Sequence, residues 1–194
     1  MKKYYLMAIT LNDSSVMNNL AHYYQFIEQN YELMKKYYLM AVNLNNWIAM
    51  SKLAYYYNHV EQNYELMIKY YLMSINLNNS NAMNNLAYYY QTIDKNYDLM
   101  IKYYLMAINL NNKGAMNNLA YYYQTIDKNY DLMIKYYFLA INLNNKDAIN
   151  KLEFYFVNNI KNGEMYKFYN LLRVLPNRNE IIKNKIINYK IMFG

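Results

Sequence analysis

The sequence predicts an all-α fold: an α-solenoid of 33-residue helix-turn-helix repeats with a C-terminal cap helix. Three observations predict it. Similar blocks open at Met1, Met34, Met67, Met100 and Met133, at a constant spacing of 33, and a period of a few tens of residues is the mark of a stacked repeat array. Helix breakers are scarce, with 3 Gly and 1 Pro in 194 residues. Each block carries two apolar stripes at helical spacing, and neither helix could bury its stripe alone, so neighbouring units must stack.

The repetition is close. Blocks 67–99 and 100–132 differ only at Ser74 against Ala107, Ser80 against Lys113 and Asn81 against Gly114. Such near identity reads as recent duplication. With 56% hydrophobic residues the chain is not of disordered composition. The absence of Cys excludes disulfides and thiolate metal sites. Apolar runs are short and broken by Asn or Lys, so no membrane span is expected. The opening string Met1–Ala8 superficially suggests a signal peptide, but it recurs at Met34–Ala41. It is read as a repeat element, with a cytoplasmic location favoured.

Within one unit, the first helix is expected from about Ala115 to Ile126. Asp127-Lys128-Asn129 makes the turn, with Asn129 as N-cap of the second helix and Asp131 favoured by the dipole in its first turn. That helix is expected to run to about Leu143, with Asn144-Asn145 ending it.

Two helix patterns then carry a resemblance. The helix Tyr97–Asn111 looks like the second helix of a tetratricopeptide repeat, with Met100 at the first small position and Asn112 near the usual Pro. The first-helix string Ala115-x3-Leu119-Ala120-x2-Tyr123 resembles that of Sel1-like repeats, as does the step of eight from Ala107 to Ala115. The turn inside the unit is shorter than Sel1-like units usually have, and the period is one short of the tetratricopeptide value. The resemblance covers about residues 1–175, as a half unit (1–11) and about five further units. In its Asn and Tyr content the chain is similar to repeat proteins of AT-rich giant viruses.

The ends differ from the middle. Met1–Leu11 reads as a lone second helix. Glu153 stands where the inner units have Ala87 and Ala120, so the last unit is expected to open or turn its helix outward. Glu164–Leu175 completes that unit, Pro176 stops it, and 176–194 is the cap, with a helix over Asn179–Met192 packing Ile181, Ile182, Ile186, Tyr189 and Met192 on the array. Residues 1–150 hold 12 Lys against 10 acids, a balance of +2, while 151–194 hold 6 Lys and 2 Arg against 3 acids, a balance of +5. This basic tail is the sole argument for a nucleic-acid partner, which is not expected.

No catalytic residue, cofactor or metal site is expected. His22 and His59 share no spacing with an acid, and there is no phosphate loop. The sequons at Asn12 and Asn78 are what chance gives in so Asn-rich a chain. What remains is surface. The tetratricopeptide resemblance implies that first helices line a concave groove. It would present Asn18, Ser51, Asn84 and Asn117; His22, Tyr55, Tyr88 and Tyr121; and Gln25, Asn58, Gln91 and Gln124. Amides can pair with a peptide backbone, and Tyr gives contact area at low entropic cost. The cationic clamp for a C-terminal carboxylate that some members use is expected to be absent, since Lys52 stands alone. A second surface would be an outer stripe on the second helices, with Tyr37 and Met40, Tyr70 and Met73, and Tyr103 and Met106, preceded by Leu33, Leu66 and Leu99. An apolar stripe there would serve self-association. The sequence therefore implies a scaffold that binds a protein or peptide on its concave face. The alternative is a structural protein that associates with itself, as a homo-oligomer or filament.

Overall fold

The computed structural model describes residues 13–159, and these are all helix and turn. The helices are α1 (Ser14–Phe26), α2 (Tyr31–Asn43), α3 (Trp47–Tyr56), α4 (Tyr64–Ile75), α5 (Ser80–Tyr89), α6 (Tyr97–Asn109), α7 (Lys113–Thr125), α8 (Tyr130–Asn142) and α9 (Lys146–Asn159). In α3 and α5 a final turn of π geometry follows, over Tyr57–Glu61 and Tyr90–Asp94. First and second helices alternate at the 33-residue period, which is the α-solenoid repeat architecture. The chain divides between Tyr89 and Tyr90 into two compact units. No described helix is long and apolar enough to cross a membrane. The half unit 1–11, Glu164–Leu175, Pro176 and the cap lie outside the described residues.

Among the described residues eight positions adopt the left-handed conformation, and none of these is Gly. In the turn after each first helix it is Gln29, Gln62, Lys95 and Lys128; after each second helix it is Asn45, Asn78, Asn111 and Asn144. Asn tolerates that region best among residues with a Cβ, which explains the first Asn of each Asn-Asn pair. The second Asn begins the next helix: Asn46 Oδ1 accepts from Ala49 N at 2.9 Å and Asn112 Oδ1 from Ala115 N at 3.0 Å. These caps start α7 at Lys113, two residues earlier than the expected Ala115. The expected N-cap Asn129 accepts from Leu132 N at 3.2 Å, and Asp131 lies in the first turn of α8.

Three consecutive aromatic residues on each first helix divide the packing among them. Successive helical residues point about 100° apart, so each of Tyr55, Tyr56 and Tyr57 meets a different neighbour. Tyr57 stacks on Tyr70 of its own unit's second helix, with centroids 5.7 Å apart and planes at 6°; Tyr24 on Tyr37, Tyr90 on Tyr103 and Tyr123 on Tyr136 repeat this at 5.4–5.8 Å. Tyr56 meets Tyr31 of the preceding second helix at 5.6 Å, as Tyr89 meets Tyr64, Tyr122 meets Tyr97 and Tyr155 meets Tyr130. Offset aromatic pairs of this kind contribute about 0.5–1.5 kcal/mol beyond area burial. The remaining member of each triplet points away from the core. Fully buried Met34, Met67, Met100 and Met133 and Ala21, Ala54, Ala87 and Ala120 complete the packing.

A fourth set of tyrosines is buried outright. Tyr38 donates to Gln25 Oε1 at 3.1 Å, Tyr104 to Gln91 Oε1 at 2.7 Å and Tyr137 to Gln124 Oε1 at 2.9 Å. Asn58 replaces that Gln in the second 33-residue repeat, and Tyr71 pairs with Asn85 instead. Burial pushes the phenols of Tyr38 and Tyr137 well up and that of Tyr71 to about 12. A phenol that ionises near 10 unfolded and later when folded favours the native state below pH 10 and loses that advantage as pH rises toward 12. Stability should therefore fall above about pH 10, with tyrosinate absorbance and helix loss rising together. Ionisation of the buried tyrosines with helicity intact would contradict this.

Candidate functional site

The first helices present the exposed third of each triplet. In the first unit of the chain these residues are His22, Tyr55 and Tyr88; in the second they are Tyr121 and Phe154. Tyr88 keeps 53% of its surface exposed, against 9% for Tyr89 beside it. At three of these positions a residue four places on contacts the side chain or its backbone. His22 packs on Phe26 at 4.5 Å, His59 stacks on Tyr55 at 3.9 Å, and Thr125 donates its hydroxyl to Tyr121 O at 2.8 Å. The two histidines thus serve as local packing partners. No group of three potential metal ligands occurs among the described residues.

The amides expected beside these aromatics fare differently. Asn117 is buried and donates to Asp147 Oδ2 at 3.1 Å. It is therefore corrected from groove lining to a tie between consecutive first helices. Gln91 and Gln124 hold the buried tyrosines through Oε1, as described above. Asn84 is half-buried, with Nδ2 at 3.4 Å from Asn85 Oδ1. The aromatic members of the expected set are open, while most of its amides belong to the frame. Sequence spacing places a residue on a helix face but not the depth of the neighbouring helix, so this distinction was not legible.

The outer stripe also needs correction. Tyr37 and Tyr70 are buried, Tyr103 is half-buried, and Met40, Met73 and Met106 are half-buried. Each stripe tyrosine stacks on a first-helix tyrosine, and the ammonium of the preceding lysine lies 5.4–5.7 Å from its ring centroid: Lys36 at Tyr37, Lys69 at Tyr70, Lys102 at Tyr103. A tyrosine flanked in this way contributes to the repeat's own packing. What the second helices expose instead is leucine, at Leu39, Leu72 and Leu105, with Leu44, Leu77 and Leu110 exposed just past their ends.

Two concavities lie between consecutive first helices. One, of about 280 Å³, has Trp47, Ile48, Lys52 and Tyr55 of α3 on one side and Asn81 and Asn85 of α5 on the other. Its base is a hydrogen-bonded set: Asn79 Nδ2 donates to Ser51 Oγ at 2.7 Å and Ser74 Oγ at 2.8 Å, and Ser74 Oγ donates to Trp47 O at 2.9 Å. The second, also about 280 Å³, is lined by Tyr121, Gln124, Asn150, Lys151 and Phe154. Lys151 lies 99 residues after Lys52, at the same repeat position, so Lys52 is not alone in register. Lys151 is engaged, however, with Asp147 at 2.9 Å and with its ammonium 5.1 Å from the Tyr121 ring centroid. Trp47 was missed because it falls in the first turn of a helix, where Ser14, Ser80 and Lys113 stand elsewhere; a lone Trp in such a series was the signal.

No family model matches the sequence, and no curated protein matches it significantly. Solved structures do match. A protective antigen of uropathogenic Escherichia coli displaying an SLR fold superposes with a TM-score of 0.69 at 18% identity, over 80% of this chain and 36% of the antigen. A Sel1 repeat protein from Oxalobacter formigenes gives 0.70 at 18% identity, over 84% of this chain and 73% of its own. An immunity protein from Pseudomonas aeruginosa gives 0.58 at 18% identity, over 96% of this chain and 70% of its own. This chain spans little more than a third of the antigen's length. The likeness to giant-virus arrays rests on composition alone. At this identity the likeness is one of fold, and that fold is the Sel1-like helical repeat.

Proposed function

We propose that this chain is a protein-interaction scaffold that binds an extended segment of a partner protein on the face of its first helices, and that it is not an enzyme. One observation carries the reading. A chain that buries most of its described tyrosines leaves the same triplet position open in successive units, at Tyr55, Tyr88 and Tyr121. Tyrosine side chains give contact area with little ordering cost, as binding surfaces require. Peptides selected from a displayed random library on the immobilised chain provide the test. Replacing Tyr55 and Tyr88 together by Ala, both in the first compact unit, should weaken the selected peptides by about 1–3 kcal/mol and leave the far-ultraviolet spectrum unchanged. Failure to select any peptide, or unchanged affinity in the double variant, sinks the reading.

Self-association is the second reading, favoured by the exposed leucines that recur at the repeat period on the second helices. Light scattering should then show growth with protein concentration, toward a ring or a filament according to whether the contact closes. Changing Leu72 and Leu105 to Glu should abolish that growth with helicity intact. A constant monomer at every concentration excludes it.

A further inference from the structure

The second repeat unit departs from its neighbours at Trp47, Ile48, Ser51, Lys52 and Ser74, where the unit at 79–111 has Ser80, Asn81, Asn84, Asn85 and Ala107. These departures fall on two helices, yet all meet at one place. Trp47, Ile48 and Lys52 form one wall of the 280 Å³ concavity, and Ser51 belongs to its base. Ser74, fully buried, ties Ser51 (Oγ to Oγ, 2.9 Å) to the carbonyl of Trp47. Asn79 supports both serines and caps the next helix through Asn81 N at 3.0 Å. The buried hydroxyls therefore hold the backbone that carries the tryptophan, and the wall is built rather than incidental.

Its chemistry is specific. Trp47 is 44% exposed, Ile48 39% and Tyr55 49%, so three large apolar side chains face solvent around one opening. Lys52 is the one charged side chain on α1, α3 and α5, and among the described residues no acid pairs with it. Asn81 and Asn85 place amides on the opposite wall.

Resting on the interaction-scaffold reading, we propose that this concavity is a binding subsite for an acidic peptide, taking one large apolar side chain against Trp47 and Tyr55 with a neighbouring carboxylate on Lys52. An apolar side chain uses the ring and isoleucine surface. A carboxylate beside it meets the one charged side chain of α1, α3 and α5, where partial shielding by Trp47 and Tyr55 strengthens the pairing.

Trp47 is the only tryptophan in the chain, so its emission reports this subsite alone. The full chain is titrated with short blocked peptides carrying a central Phe flanked by Asp, Ser or Lys, with anisotropy of labelled copies as an independent measure of binding. The Asp-flanked peptide should shift Trp47 emission and bind on the order of tenfold more tightly than the Ser-flanked one, with the Lys-flanked peptide weakest. Lys52→Gln should erase the preference for Asp, and Lys52→Glu should transfer it to the Lys-flanked peptide, with helicity unchanged in both. Equal affinity for the Asp and Ser peptides overturns the proposal, as does an Asp preference that survives Lys52→Gln. Binding seen by anisotropy without a change in Trp47 emission overturns it as well, yet leaves the scaffold reading standing. The scaffold reading itself falls on the outcomes of the displayed-library test, not on this titration.

Discussion

Replacing Tyr104 by Ala should destabilise the fold by about 3–5 kcal/mol, the range for truncating a large aromatic side chain in a packed core. Tyr104 is fully buried in α6, and its hydroxyl donates to Gln91 Oε1 at 2.7 Å. The substitution removes the ring, leaves a cavity that the helices on either side close only in part, and strips Gln91 of a donor. Tyr104→Phe separates these effects: it keeps the ring and should cost about 1 kcal/mol, the net worth of one hydrogen bond. Urea unfolding followed by circular dichroism reads both. A loss below about 1 kcal/mol for the Ala variant would show that α6 is not packed as described.

Ala54→Glu should be comparably damaging, by more than about 3 kcal/mol, because it combines overpacking with an unpaired buried carboxylate. Ala21, Ala54, Ala87 and Ala120 all have no exposed surface. A side chain with no exposed surface leaves no open space beside it for a longer one. In α9 the same register position holds Glu153, which is half-buried, while Leu152 and Phe156 on either side remain buried. The reciprocal change, Glu153→Ala, should therefore alter stability by less than about 1 kcal/mol. Lowering the pH should recover part of the loss in Ala54→Glu as the carboxyl protonates. If Ala54→Glu unfolds at the same urea concentration as the unaltered chain, the small-residue contact does not hold the stack.

Glu153 is expected to make the last unit open or turn its helix outward, and the second half of that unit, Glu164–Leu175, lies outside the described residues. Within the described residues α9 continues regularly from Lys146 to Asn159 and packs Leu152 and Phe156 like its predecessors.

The sequence by itself determined the helical class, the 33-residue period, the alternation of first and second helices, the Asn129 cap and the exposure of Tyr55, Tyr88 and Tyr121. All of these follow from local chemistry: periodicity fixes which face a residue shares, and Asn at a turn fixes where a helix begins or ends. Only the tertiary structure decided the rest. Tyr37 and Tyr70 lie on the outward side by helical position yet are buried, because a first-helix tyrosine and a lysine close over each ring. Asn117 faces the groove by register yet is spent on Asp147, and Trp47, Lys52 and Asn85 meet only because α3 and α5 stand side by side. A helical wheel gives the direction of a side chain; how far the neighbouring helix reaches, and which side chains it brings, depends on the spacing between helices, which no single repeat specifies.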